Sequence, residues 1–451
     1  SALSRAAFGS EANLPLLLSS LTILATPPTP TEALSLRLHA KLLLMLGFCL
    51  YDGSMLTSLL DAGLLKYALA NLNPPPADPD AEAPPADALQ CAQELRSNSA
   101  TVIAIAGQSA PGRDLLISNG GLDGLITAIL PYATDGSAAT DQGIAAIVAN
   151  VTLALAHVAL SGAAVKGLIA SPKLIPALIT LLGPSVDGAV AGWSAVRGNA
   201  CTALLHISHE PSGRTAFLSS PSVIPSDPPP PAEEGEEPAA EPEEPVEAPP
   251  SALSVILALL ASSTGDEPVE TDIGLLAATC DLTSECALDV PGRESVISGG
   301  GHSSLLSLIG SSPPDTLLES AVSAYAALAA DASACVLLRG PEPTPPAEAA
   351  EGEEVEAVEP PPPPPLAIVS SLLAGSASMQ RAGASLAAAA STDAGNAKML
   401  VSMQVLPTLV SLSKTLPAAS AAIQSICVAV PSALLWNFGM LPASVTMSDG
   451  F

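Results

Sequence analysis

Between Ser171 and Leu218 apolar residues recur at helical spacing twice: Leu174, Ile175, Leu178, Ile179, Leu181 and Leu182, then Ala200, Ala203, Leu204 and Ile207. The rhythm predicts two amphipathic helices separated by a break around Pro184 to Gly188. A helix pair of about 45 residues has too little interior to bury its apolar face alone, so similar pairs have to stack on either side of it. The same pattern does recur. Pro111-Gly112-Arg113, Ser212-Gly213-Arg214, Pro291-Gly292-Arg293 and, more loosely, Ala394-Gly395-Asn396 each open a short apolar segment. A second break follows, as at Asn119-Gly120-Gly121, Gly299-Gly300-Gly301 and Met403-Gln404, and then another apolar helix. Aligning these markers brings a polar residue into line about 15 positions upstream, at Asn98, Asn199, His39 and Arg381, with Asn150 in a weaker repeat between. Seven residues beyond Asn150 and Asn199 stand His157 and His206.

With insertions removed the period is about 40 to 50 residues, the length of two- and three-helix repeats. Units begin near Leu14, Leu64, Leu125, Ile175, Leu253, Leu305, Ile368 and Leu406. LIPALITLL, then GNACTALLHIS, then a Gly-Arg turn resembles the armadillo repeat. Leu406 to Leu412 and Ala433 to Phe438 resemble its two halves in the last unit. The resemblance implies an all-α, armadillo-type right-handed α-solenoid of about eight repeats. It also implies that the longer, inner helix of each unit lines a concave groove. Asn98, Asn150, His157, Asn199, His206, Trp436 and Asn437 then form a ladder that binds the backbone of an extended partner. For Asn98, Asn150 and Asn199 a second reading stands beside this one: they cap or bond to the neighbouring inner helix. Nuclear-import armadillo proteins repeat Trp and Asn pairs for basic peptides, and here only Trp436 with Asn437 matches, so import-signal binding is not expected.

Three acidic Pro-rich stretches interrupt the repeats, and the clearest reads SDPPPPAEEGEEPAAEPEEPVEAPP. They divide the chain into repeats 1 to the start of 2 (1–73), an insert (74–88), repeats 2 to 4 (89–223), an insert (224–250), repeats 5 and 6 (251–340), an insert (341–365) and repeats 7 and 8 (366–451). Pro mixed with Glu gives too little apolar surface to fold, so the inserts are expected to be disordered, extended arms. They carry much of the formal charge of -29, and basic partners suit them. With 15 basic residues against 44 acidic ones, the chain lacks the Lys/Arg surface that neutralises phosphates, so no nucleic-acid partner is expected.

Chemistry is sparse. No Walker A loop, G-x-S-x-G elbow, H-E-x-x-H or C-x-x-C occurs, which predicts no enzyme, no cofactor and no metal. His206 and His209 share a helix face, but no third ligand accompanies them. Gly299-Gly300-Gly301 reads as an interrepeat turn. Seven scattered cysteines read as small core residues in a reducing compartment. Gly143 to Ala170 is long and apolar, but Asn150, His157 and Lys166 and the Ser161-Gly162 break argue for buried helices, and no membrane partner is expected. The absence of Met at Ser1 points to a fragment or a processed form.

The Ala- and Ser-rich helices and Pro/Glu inserts also resemble armadillo-repeat proteins of green-algal cilia, structural components of the axonemal central apparatus. That resemblance implies a non-catalytic, microtubule-associated scaffold in a large protein assembly, located in the cytoplasm and cytoskeleton, in the cilium axoneme. The alternative is a soluble adaptor that binds an extended peptide or cargo in the concave groove.

Overall fold

The computed structural model describes residues 13–51, 53–74, 83–183, 188–225, 249–264, 268–340 and 363–433. Trp436 and Asn437, and most of the three acidic inserts, lie outside the described residues. Two compact units divide the chain, Ser1–Val255 and Ile256–Phe451. Each is built from helices, and no β-strand occurs among the described residues, where the one β-bridge joins Pro221 to Ser251.

Unit 1 starts with α1 (Leu14–Leu24) and α2 (Ala33–Cys49). It continues with three full triplets of two short helices and one longer one. These are α3 (Gly53–Asp61), α4 (Leu64–Leu72) and α5 (Ala86–Gly107), then α6 (Ala110–Ser118), α7 (Gly121–Asp135) and α8 (Gln142–Val158), then α9 (Gly162–Ile169), α10 (Leu174–Leu181) and α11 (Trp193–Ser208). The next triplet opens with α12 (Pro211–Ser219), and α13 (Ala252–Ser262) contains the sequence boundary between the units. In unit 2 the longer helix of that triplet, α14 (Ile273–Cys286), is followed by α15 (Val290–Ser298), α16 (Gly301–Gly310) and α17 (Asp315–Leu328). The last two triplets are α18 (Ala332–Leu337), α19 (Ile368–Ala374) and α20 (Ala377–Ala390), then α21 (Ala394–Ser402), α22 (Leu406–Leu412) and α23 (Pro417–Ala429). Within each unit every longer helix packs on the longer helix before it, and the short helices cover their other side. Each unit is thus built as an α-solenoid of armadillo type, and the eight longer helices among the described residues match the expected count of about eight repeats.

Local chemistry explains where the helices start. Ser109, Asp141, Asp272, Asp331, Ser376 and Asp393 each accept a hydrogen bond from a backbone N–H in the first turn of the helix that follows. Such a cap is worth about 1 kcal/mol. The recurring Gly of the marker has a steric cause. A β-carbon on Gly112 or Gly213 would collide with the carbonyl oxygen of Ala106 or Ile207, at the end of the preceding longer helix. Where the longer helices meet, small residues such as Ala100, Ala104, Ala154 and Ala203 are fully or almost fully buried and let the backbones approach closely. All seven cysteines are buried and none is in a disulfide, in keeping with their expected place in the core.

The apolar stretch from Gly143 to Ala170 is divided between α8 and α9. Among the described residues no single helix is long and apolar enough to cross a membrane. Two bent pairs pass by length and composition, at angles of 83° and 93°. Both belong to the stack, where Leu125, Ile129, Leu174 and Leu178 are buried.

Candidate functional site: the polar rows of the inner helices

The longer helices carry their polar residues in rows, and each row has its own partner in the backbone. Asn199 of α11 donates from Nδ2 to Ala149 O at 2.8 Å, and Asn98 of α5 donates to Ala40 O at 2.9 Å. In α11 the acceptor lies one residue before Asn150, the counterpart of Asn199 in the preceding repeat. Asn150 follows the same rule through a relay. Its Nδ2 donates to Thr101 Oγ1 at 3.0 Å, and that hydroxyl donates to Ser97 O, the carbonyl one residue before Asn98. Two turns along, His206 Nδ1 contacts Ala156 O at 2.7 Å and His157 Nδ1 contacts Ala104 O at 3.1 Å. A carbonyl only accepts, so both rings carry the proton on Nδ1.

These five residues thus join each inner helix to the one before it, which is the second of the two expected geometries for the asparagines. The bonds hold the ring N–H of His157 and His206 and an amide N–H of Asn150 and Asn199, all partly exposed, and leave Asn Oδ1 and His Nε2 as acceptors. Asn98 is buried. Burial holds the pKa of His157 and His206 below the ordinary histidine value, outweighing the hydrogen bonds to backbone carbonyls, which act the other way.

A second row, two residues earlier, escaped the sequence reading as a set. Arg96 Nε donates to Leu72 O, Arg197 Nε to Leu182 O, Gln380 Nε2 to Gly375 O, and His39 Nε2 contacts Thr26 O. Each acceptor is at or just beyond the C-terminal end of the outer helix of the same repeat, where carbonyls lack partners within the helix. His39 therefore belongs with Arg96 and Arg197 and is two residues out of line with Asn98. An arginine two places ahead of both Asn98 and Asn199 was the available signal. The marker arginines form a third set: Arg113, Arg214 and Arg293 each donate from Nη1 to two successive carbonyls at the C-terminal end of the preceding inner helix, at 2.9 to 3.4 Å. A cation at a helix C-terminus also meets the negative end of its dipole.

Unit 2 fills the corresponding places differently. Counting back eleven residues from each following N-cap, as from Ser109 to Asn98, gives Ala278, Ser320 and Ala382. Ser320 hydrogen-bonds Asp281, which stands where Thr101 stands, so one contact of the relay survives with a carboxylate as acceptor. Burial raises the Asp281 pKa, with the Ser320 bond opposing and Glu319 adding to the rise. Glu285 takes the place of His157 and His206. His302, after the triple glycine, contacts Ile297 O within the interrepeat turn, and Gly300 adopts a left-handed φ of 80° there. His206 and His209 have ring centroids 5.4 Å apart, and no group of three or more metal-ligating side chains gathers among the described residues.

Solved structures resemble the chain at low identity. An engineered protein of the Northeast Structural Genomics Consortium aligns over 94% of this chain and 92% of its own length, with 15% identity and a TM-score of 0.54. A designed armadillo repeat protein aligns over 69% of this chain and 99% of its own, with 17% identity and a TM-score of 0.45. Another, in complex with the peptide (KR)4, aligns over 71% and 100%, with 16% identity and a TM-score of 0.46. The first likeness concerns fold alone, and the other two lie below the level at which folds can be compared. No protein-family model matches the chain, and no curated protein does either.

Proposed function

We propose that the chain is a non-catalytic scaffold that binds other proteins on its helical-repeat surface. The observation that carries this reading is the direction of the inner-helix polar rows: their donors bind backbone of the same stack and hold the repeats together. What remains for partners is the helical surface of each unit, with exposed apolar side chains such as Leu16, Leu34 and Leu38 in the first helices of unit 1. The finer reading, a component of the ciliary axoneme central apparatus, has the Ala- and Ser-rich helices and the acidic Pro-rich inserts in its support. A second reading, an adaptor for an extended peptide, is favoured by one detail: Oδ1 of Asn150 and Asn199 and Nε2 of His157 and His206 are acceptors suited to the N–H groups of a bound backbone.

Cross-linking mass spectrometry of the native protein in extracts separated into cytoskeletal and soluble fractions tests these readings. A scaffold yields several constant neighbours in the cytoskeletal fraction, joined through repeat surfaces. Recovery in the soluble fraction, with one partner cross-linked along the inner helices, replaces the scaffold with the adaptor. Recovery without any partner overturns both.

A further inference from the structure

Serine hydroxyls at the interrepeat turns are tied to the helix that the turn ends. Ser118 donates to Leu115 O, Ser220 to Ala216 O, Ser298 to Ser295 O and Ser402 to Met399 O. Ser171, in the turn between α9 and α10, departs from this pattern. Its N–H donates to Leu168 O and its carbonyl accepts from Leu174 N–H, both at 3.3 Å, while its hydroxyl has no partner among the described residues and reaches solvent. The nucleophile is free while the backbone around it is held.

Pro172 follows and is exposed. A proline confines the residue before it to extended backbone and fixes its own φ, so the hydroxyl is carried on a stiff, preset step. The other Ser-Pro and Thr-Pro steps among the described residues are at Thr26, Thr29, Ser220 and Ser312. Ser220 has already committed its hydroxyl, and Ser312 is held in the left-handed region at a φ of 53°. Downstream of Thr26 and Thr29 the first charge is that of Glu32, and downstream of Ser312 it is that of Asp315, whereas Lys173 directly follows Ser171 and Pro172. Protein kinases select substrates by such charge patterns beside the acceptor.

We propose that Ser171 is a phosphorylation site for a proline-directed protein kinase that uses ATP. Ser171 Oγ bonds to the γ-phosphorus as the bond from that phosphorus to the β,γ-bridging oxygen breaks. ADP leaves, and the hydroxyl proton passes to the aspartate base of the kinase. The product carries a charge of about −1.5 to −2 at neutral pH. It stands just ahead of α10, next to Lys173 at the N-cap and beside the positive end of the helix dipole, so the turn accepts it without strain. The change is at the surface, where a cationic turn becomes anionic and suits a partner that brings guanidinium groups.

The test incubates the full chain with MgATP, phosphatase inhibitors and native extract, and locates phosphate by peptide mass spectrometry. A Ser-Pro peptide phosphorylated in the same extract shows its kinases to be active. Ser171→Ala removes no hydrogen bond of the folded chain, Pro172→Ala keeps the hydroxyl but loosens the step, and unchanged thermal melting shows that both variants fold. The expected result is phosphate at Ser171 in the parent chain, none there in Ser171→Ala, and about tenfold less in Pro172→Ala. Thermal melting of the phosphorylated chain stays level or rises. Phosphate confined to other positions, no incorporation, equal incorporation in Pro172→Ala, or a phosphorylated chain that melts earlier overturns the proposal. Cross-linked neighbours are read separately, so any of these failures leaves the scaffold reading standing.

Discussion

The inner helices of unit 1 and unit 2 solve the same stacking problem with different side chains. In unit 1 each helix reaches back to its predecessor through Asn and His donors, and the helix ends at Gly107 and Ser208 are closed by Arg113 and Arg214. In unit 2 alanine and serine take the asparagine places, and Asn396 stands where the last marker arginine would be. Its Nδ2 donates to Cys335 O at 2.7 Å, while the Cys335 thiol reaches Ala390 O, the end of α20, at 3.4 Å. The geometry of the repeat thus requires the carbonyls to be met and leaves open which group meets them. Directional polar bonds fix unit 1, whereas unit 2 depends more on close packing of Ala321, Ala324, Ala384 and Ala387, all fully buried.

The largest separation between the two is expected at the marker glycines. Gly213→Ala drives a β-carbon into backbone at Ile207, whereas at Gly395 the nearest atoms belong to the flexible Arg339 side chain. Urea unfolding should show Gly213→Ala destabilising by about 3 kcal/mol and Gly395→Ala by less than about 1 kcal/mol. Equal losses would remove the steric distinction. Next comes the pin itself. Asn199→Ala removes the bond from α11 to Ala149 O of the preceding inner helix and should cost about 1 kcal/mol. Ser320→Ala should cost less than that, because its partner Asp281 is partly exposed.

The smallest effect is in pH dependence, and the units should respond with opposite sign. Burial lowers the folded pKa of His157 and His206 below 6.5, so the unfolded chain takes up protons first and their contribution weakens stability as pH falls below that value. Burial raises the folded pKa of Asp281 above 3.8, so its contribution favours the folded state at low pH and is lost as pH rises through the folded value. Melting temperatures measured from about pH 7.5 to about pH 5.5 should fall less in a His157→Gln, His206→Gln double variant than in the parent chain. Asp281→Asn should instead flatten the profile from about pH 4 upward. A parent profile that rises on acidification across the histidine range would contradict the burial of the two rings.

Much of this was legible in the chain itself. Helical rhythm and the Gly-Arg markers give the triplets and the count of inner helices, because both follow from local periodicity and sterics. The row containing Asn98, Asn150 and Asn199 was visible for the same reason. What those side chains touch was not, since a donor two turns from either helix end fits a ligand or a neighbouring backbone equally well until the spacing of the helices is known. His39 was placed in the wrong row because alignment by residue type ignores a shift of two positions, and two positions on a helix turn a side chain by more than half a circle. Arg96, Arg197 and Gln380 stayed hidden as a set because their shared acceptor, the end of an outer helix, has no sequence signature.

The Thr101 relay and the direct asparagine bonds all connect one inner helix to the next, and none depends on how many residues lie between them. The distance along the chain from Asn98 to Ala40 is 58 residues and from Asn199 to Ala149 it is 50, yet both bonds form. Loop length is therefore invisible to the joints. Such a chain can gain or lose whole repeats, or take up long insertions between helices, while every surviving joint keeps its form. Most of the acidic stretch at 74–88 lies in one such tolerated interval, between Leu72 at the end of α4 and Ala86 at the start of α5, and it marks where the sequence is free to diversify without redesigning the stack.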